Sequence, residues 1–290
     1  MLPNFLIVGA QKAATTWLST CLGEHPDVFI PKEEEIYFFN HEFDKGLEWY
    51  ESHFDAWDGQ AAVGEATPGY ISHPDAPGRI RFVLGDVKLI ASLRHPVDRA
   101  YSAFWHHVRN GRISPKADFY TLFRQNGPLE IRSRGYYFAQ LCHYLKHFPN
   151  ENLLVLIYEE IFGNNQQAIV NCFEFLGVDS RFEPGTLNVQ VNKGGKDIGV
   201  FHSQARTLRE RLLRIADTSL LPRNLVGPLF TVGRRAFKKL AFEWGPKKKH
   251  FERLETNLCQ ELVGDYMPDI RQLEDLLGRD LGIWYETSST

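Results

Sequence analysis

The sequence predicts an α/β fold: a central parallel sheet with helices on both faces, and a helical, basic cap region. Three observations carry this expectation. Short, largely apolar runs occur at Phe5–Ala10, Ala61–Ala66, Val87–Leu93 and Leu153–Tyr158, the pattern of strands buried on both faces. Helical stretches lie between them at Thr15–Leu22, Asp98–Arg109 and Tyr137–Phe148, and alternation of strands with helices implies parallel pairing. The segment from Lys196 to Arg253 holds 14 lysines and arginines against 5 acidic residues, in a chain whose net charge is −3.

The first strand, Phe5-Leu6-Ile7-Val8-Gly9-Ala10, begins almost at the N-terminus, with no basic leader and no cleavage pattern before it. The helix that follows ends near Gly23. After the later strands, Phe251–Leu277 has helical periodicity and closes a single domain of residues 1–290, with the cap at about 196–250. At 43% hydrophobic residues, such a chain buries a core without metal or disulfide staples. Cys21, Cys142, Cys172 and Cys259 are far apart and lack metal-ligand spacing, so free thiols in a reducing compartment and no metal are expected. No run approaches the ~20 apolar residues of a membrane span, so the expectation is a soluble, cytoplasmic protein. A negative net charge argues against nucleic acid as a general partner.

Within the cap, Arg234, Arg235, Lys238 and Lys239 alternate with Ala236, Phe237, Leu240 and Ala241. This suits a basic amphipathic helix. It reads as a solvated face, an anion-attracting wall or a membrane-surface contact.

Two segments have the chemistry of anion sites. The first joins strand to helix: Gly9-Ala10-Gln11-Lys12-Ala13-Ala14-Thr15-Thr16-Trp17. A turn of this kind aims backbone N–H groups at one point, and the helix N-terminus adds partial positive charge. Gly9, Ala13 and Ala14 are small enough for close approach, Lys12 supplies a full charge, and Thr15 and Thr16 offer hydroxyls. It is not a Walker A loop, which needs a glycine directly before its lysine. An ordinary strand–helix turn with a solvated lysine is the alternative. The second segment is Arg94-His95-Pro96-Val97-Asp98-Arg99-Ala100-Tyr101-Ser102. Arg94 falls at the carboxyl end of a predicted parallel strand, where open α/β sheets bind ligands. Arginine plus the Ser102 hydroxyl suits a terminal phosphate, with a structural salt-bridge residue as the alternative for Arg94. Arg99 reads instead as the partner of an acidic neighbour.

These motifs together resemble the sulfotransferases that use 3′-phosphoadenosine 5′-phosphosulfate (PAPS), especially the branch with heparan sulfate sulfotransferases and bacterial relatives. The second motif matches that family's R-x-P-x-x-R-x-x-S pattern at Arg94, Pro96, Arg99 and Ser102. His25-Pro26-Asp27-Val28, Glu35-Ile36-Tyr37-Phe38-Phe39 and Gly46-Leu47-Glu48-Trp49-Tyr50 match in order, and Gly64-Glu65-Ala66-Thr67-Pro68-Gly69-Tyr70 resembles the stretch with the family's catalytic glutamate. The resemblance is strong over residues 4–110 and moderate to about 195. It implies a P-loop-like sheet, Lys12 to Trp17 on the phosphosulfate, and Arg94 and Ser102 on the 3′-phosphate. Asn192, Lys193 and Gly194 fall where the family has a loop closing over the nucleotide, without the aromatic–cysteine sequence that often follows. The paired C-terminal cysteines of Golgi members are missing too. Where glycan-modifying members carry a lysine, this chain has Ser72-His73-Pro74-Asp75, which favours a small-molecule acceptor.

Sulfuryl transfer requires a stabilised leaving oxygen, removal of the acceptor proton and in-line positioning. Lys12 and the helix N-terminus meet the first need without a metal. Glu65 is the candidate base, with His73, His53, His41 and His106 as accessory candidates. Two rival readings are a P-loop small-molecule kinase and a non-catalytic nucleotide- or membrane-binding protein. Acceptor identity, O- versus N-sulfation and oligomeric state are not readable from the sequence.

Overall fold

The structure, a computed structural model, describes residues 1–33, 35–189 and 254–285. Five strands form one sheet: β1 (Phe5–Gly9), β2 (Val28–Phe29), β3 (Ala62–Ala66), β4 (Lys88–Leu93) and β5 (Leu153–Ile157). Their order is β2-β3-β1-β4-β5, and every neighbouring pair is parallel. Phe5 and Ile7 face one side of the sheet, Leu6 and Val8 the other, and all four are fully buried. Both faces are therefore covered, as the unbroken apolar runs predict.

The register is set partly by size. Phe5 pairs with Gly64, and a Cβ on Gly64 would come within 2.4 Å of the Phe5 ring. The next pair in register is Leu6 with Glu65. With β1 in the middle, the chain leaves β3 on one side and enters β4 on the other. Their carboxyl ends flank the carboxyl end of β1, the crevice where open α/β sheets take ligands.

Eight helices follow the strands in order up to residue 176: α1 (Thr15–Gly23), α2 (Leu47–Glu51), α3 (Ala76–Leu84), α4 (Pro96–Arg109), α5 (Phe119–Gln125), α6 (Tyr137–Leu145), α7 (Tyr158–Gly163) and α8 (Asn165–Leu176). Trp17, Leu18, Cys21 and Leu22 of α1 share a core with Ile169, Cys172 and Phe173 of α8 and with Phe5, Ile7 and Ile90 of the sheet. The Asn164 side chain accepts from the Gln167 N–H at 3.1 Å and starts α8. Gly177, at φ 82°, ends it.

The helix expected over Phe251–Leu277 is two helices in the described part, α9 (Thr256–Gly264) and α10 (Met267–Leu277). Pro268 sits in the first turn of α10. It has no N–H for the carbonyl of Gly264 and its ring would collide there, so one continuous helix is broken at this point. The helix expected over Tyr137–Phe148 stops at Leu145, four residues before Pro149.

The chain divides into two compact units. One comprises Met1–Tyr101, Asn126–Asn192 and Leu254–Thr290 and holds the sheet. The other comprises Ser102–Gln125 and Lys193–Arg253. In the described part of the second unit, the Phe104 ring meets those of Trp105 and Phe119 edge-on, with centroids 5.3 and 5.6 Å away. The basic helix expected around Arg234–Lys239 lies outside the described residues. All four cysteines are free thiols. Among the described residues no helix is long and apolar enough to cross a membrane.

Candidate active site

The loop after β1 is shaped by its backbone. A Cβ on Gly9 would lie 2.4 Å from Ile71 Cγ2 and 3.0 Å from the Pro68 carbonyl, so only glycine lets the turn after β3 rest against this loop. The Ala10 N–H donates to the Ser92 carbonyl at 2.7 Å, and the Ala13 N–H to the Ala10 carbonyl at 3.2 Å. Lys12 and Ala14 are left-handed, at φ 74° and 62°. Each such residue costs about 1 kcal/mol. The left-handed residues Lys12 and Ala14 curl the backbone tightly into α1, a kind of turn that suits anions. Ala14 caps α1 and has no side-chain acceptor for the first-turn N–H groups. The buried Ser92 hydroxyl donates to the Ala13 carbonyl at 2.6 Å and ties the loop to the end of β4.

Residues of the predicted cradle play different parts. Ala13 and Thr15 are buried, forming its floor. The Thr16 carbonyl accepts from the hydroxyls of Ser19 and Thr20 at 3.1 and 2.7 Å. Trp17 is an anchor: its indole is buried and donates to the Leu187 carbonyl at 3.3 Å.

Arg94 leaves β4 beside this loop. Its Nη1 donates to the Lys12 carbonyl at 3.3 Å, and its guanidinium lies 4.4 Å above the Tyr158 ring. The Tyr137 hydroxyl donates to the Arg94 carbonyl at 2.8 Å. Arg94 Nε is buried and has no hydrogen-bond partner, a donor left over beside a loop of N–H groups. That combination suits oxyanions, so the residues fit a nucleotide carrying more than one phosphate group. Ser102 lies on α4 in the second unit, and Asn192, Lys193 and Gly194 lie outside the described residues.

Arg99 departs from expectation. It is fully buried, and in place of an acidic partner it donates through Nη2 to the Ile131 carbonyl. Its charge acts on the buried hydroxyls of Tyr137 and Tyr266.

Glu65, in β3, is buried at 1% exposure, and hydroxyl groups lie against its carboxylate. Thr67 Oγ1 donates to its Oε2 at 2.7 Å, and the Tyr50 hydroxyl donates to its Oε1 at 3.4 Å. Thr67 Oγ1 in turn accepts from the Ile36 N–H at 3.2 Å. The Tyr70 hydroxyl is close enough to feel the carboxylate but makes no hydrogen bond of ordinary geometry. Burial raises the Glu65 pKa to about 7, against the hydroxyls that favour its charge.

The candidate histidines have contacts of their own. His73 follows β3, with Nδ1 accepting from the Asp75 N–H at 3.3 Å and its ring edge-on to His41 at 6.0 Å. Partial burial lowers its pKa, which keeps the imidazole neutral near pH 7. His53 packs on Trp49 at 4.6 Å, with Nε2 buried and unpaired. His106 lies in the second unit, paired with Asn110 at 2.9 Å.

A family model for the sulfotransferase domain matches residues 2–193. The chain belongs to the sulfotransferase domain family. A solved sulfotransferase from Alicyclobacillus acidocaldarius shares its fold, with a TM-score of 0.71 at 27% identity over 98% of this chain and 99% of that one. Human heparan sulfate glucosamine 3-O-sulfotransferase 3B1 is 32% identical over 61% of this chain and 46% of its own. The membrane-associated sulfotransferase kil1 of Dictyostelium discoideum is 40% identical over 37% of this chain and 24% of its own. The chain thus spans less than half of the length of each of these two relatives.

In this sulfotransferase domain the structure adds residues that motif reading passed over. Ser92 holds the loop, Tyr158 lies under Arg94, and Tyr50 with Thr67 surrounds Glu65. Thr67 and Tyr50 do lie in segments that match the family, but nothing in the sequence tells which neighbours they face. Ser92 is the last residue but one of β4 and Tyr158 directly follows β5, and this place near strand ends is the signal that points to them.

Proposed function

We propose that this protein is a PAPS-dependent sulfotransferase that moves a sulfonate group to a hydroxyl or amine of a small-molecule acceptor. The observation that carries the reading is the 3.3 Å bond from Arg94 to the Lys12 carbonyl. It joins the two candidate anion sites across neighbouring strand ends, as a nucleotide with phosphate groups at both ends of its ribose requires.

PAPS supplies the electrophilic sulfonate and a phosphate leaving group. Lys12, with the segment Ala13, Ala14, Thr15, Thr16 and Trp17, holds the phosphosulfate end and offsets charge growing on the leaving oxygen. Arg94, with Ser102 by the motif, holds the 3′-phosphate, and Asn192, Lys193 and Gly194 are assigned to the nucleotide by the resemblance alone. Glu65 takes the acceptor proton while the acceptor–sulfur bond forms and the sulfur–oxygen bond to phosphate breaks. The electrons of that bond leave on 3′-phosphoadenosine 5′-phosphate (PAP). A carboxyl with a pKa of about 7 is suited to such a transfer near neutral pH. His73, kept neutral, is the accessory acceptor. No metal enters this scheme.

The small-molecule preference rests on the missing lysine at Ser72-His73-Pro74-Asp75. Asp75 itself pairs with Arg79 at 3.4 Å, so local charge there is balanced and not acidic. The free thiols suit a reducing cytoplasm.

The test is a panel of alcohols, phenols and amines with PAPS, read by a mass gain of one sulfonate and by release of PAP. PAP should also raise the melting temperature more than AMP, which lacks the 3′-phosphate. Equal shifts would remove the role given to Arg94 and Ser102. Stabilisation by ATP and Mg²⁺ with none by PAP would replace the reading with a kinase.

A further inference from the structure

Arg94 is held by residues that no sulfotransferase motif named above contains. The register of β4 on β5 pairs Leu93 with Ile157, so the next two residues of each strand leave the sheet side by side. Tyr158 lies under the Arg94 guanidinium at 4.4 Å. Glu159, the next residue, accepts the His95 N–H at 2.9 Å through Oε1. Its other oxygen, Oε2, accepts the indole N–H of Trp284 at 2.9 Å. Trp284 is fully buried, in the turn Gly282–Trp284 at the end of the described chain. Its ring lies 5.9 Å from that of Tyr137, the donor to the Arg94 carbonyl.

The peptide unit that carries Arg94 is therefore fixed on both sides, by Tyr137 at its carbonyl and by Glu159 at the following N–H. Among the described residues the hydrogen bonds of the Glu159 and Trp284 side chains go to His95 and to each other, not to the anion loop. A carboxylate whose two oxygens each accept one N–H is locked in rotation, and both bonds are charge-assisted. Arg94 has a long, flexible side chain, and its donors point usefully only if the backbone beneath them is held.

We infer that Glu159 and Trp284 are positioning residues for Arg94, through which the C-terminal turn sets affinity for the 3′-phosphate of the nucleotide. The inference rests on the proposal that Arg94 binds that phosphate.

The readout is the ratio of PAP to AMP affinity by calorimetry on the whole protein. Trp284→Phe keeps a buried ring, changes no charge and removes the N–H. Glu159→Asp keeps the charge but falls a methylene short of its two donors. Leu273→Ala, which truncates a fully buried residue of α10, is the control for simple loss of stability. Loss of a charge-assisted bond should lower PAP affinity by about tenfold in both positioning variants, with AMP affinity nearly unchanged. Leu273→Ala should lower the melting temperature and leave the ratio alone. Folded Trp284→Phe and Glu159→Asp proteins with the parent ratio would overturn the inference, as would an equal change in Leu273→Ala. If Trp284→Phe does not fold, Glu159→Asp decides alone. An unsubstituted protein that binds PAP and AMP equally would instead remove the Arg94 assignment, and this inference with it.

Discussion

Replacing Glu65 by glutamine preserves shape and removes one titrating proton from a fully buried site. Burial, opposed by the Thr67 and Tyr50 hydroxyls, raises its pKa to about 7 from an ordinary 4.5. Between those two values the native protein holds a proton that the unfolded chain has released. Stability is thus fully present below pH 4.5, falls as pH rises through that window, and is lowest above about pH 7. The gap between the two values is worth about 3 kcal/mol. Glutamine carries no such burden, and the two hydroxyls can rotate to meet its amide. Above pH 8 the Glu65→Gln protein should therefore be the more stable, by up to ~3 kcal/mol or roughly 5–10 °C in melting temperature. Below pH 4.5 the two proteins should melt together. Turnover on an alcohol acceptor should fall ~10²–10⁴-fold at saturating substrates. The parent activity should rise with pH through an ionisation near 7, which the variant lacks. Melting curves from pH 4 to 9, with rates on the same samples, supply both readings. A difference in melting temperature that does not vary with pH would refute the buried, protonated carboxyl. A stable variant with full activity on an aliphatic alcohol would remove Glu65 from the chemistry and leave His73 or His53 to be tested.

Lys12→Ala should lower turnover more than PAP affinity, because the charge it meets is largest in the transition state. Unchanged turnover at saturating PAPS would end that role. Gly9→Ala forces a Cβ to 2.4 Å from Ile71 Cγ2 and should cost ~1–3 kcal/mol with a matching loss of PAP binding, read by urea denaturation and calorimetry. Ser92→Ala leaves the Ala13 carbonyl without its 2.6 Å donor; a loss of ~1–3 kcal/mol is expected, again with weaker PAP binding. A Ser92→Ala protein with parent affinity would show that the loop keeps its shape unaided.

Sequence alone determined the parts whose chemistry is local. The runs at Phe5–Ala10, Val87–Leu93 and Leu153–Tyr158 became strands within one residue at either end, because strands of a parallel sheet covered by helices are largely apolar. The strand-to-helix turn was legible because Gly9 to Thr16 are contiguous between an apolar run and a helical stretch. The place of Arg94 directly after a strand was legible from the apolar run that precedes it. Tertiary structure decided the rest. β2 is two residues long, too short to leave a period, and exists because Val28 and Phe29 pair with Ala62 and Val63. Arg99 appeared to need an acid, but folding delivered the Ile131 carbonyl from 32 residues away. The Glu65 enclosure, the Ser92 bond across 79 residues and the Glu159–Trp284 bridge across 125 all join distant segments. Such partners depend on strand order and register, which the whole sheet sets at once, so no local pattern of residues could announce them.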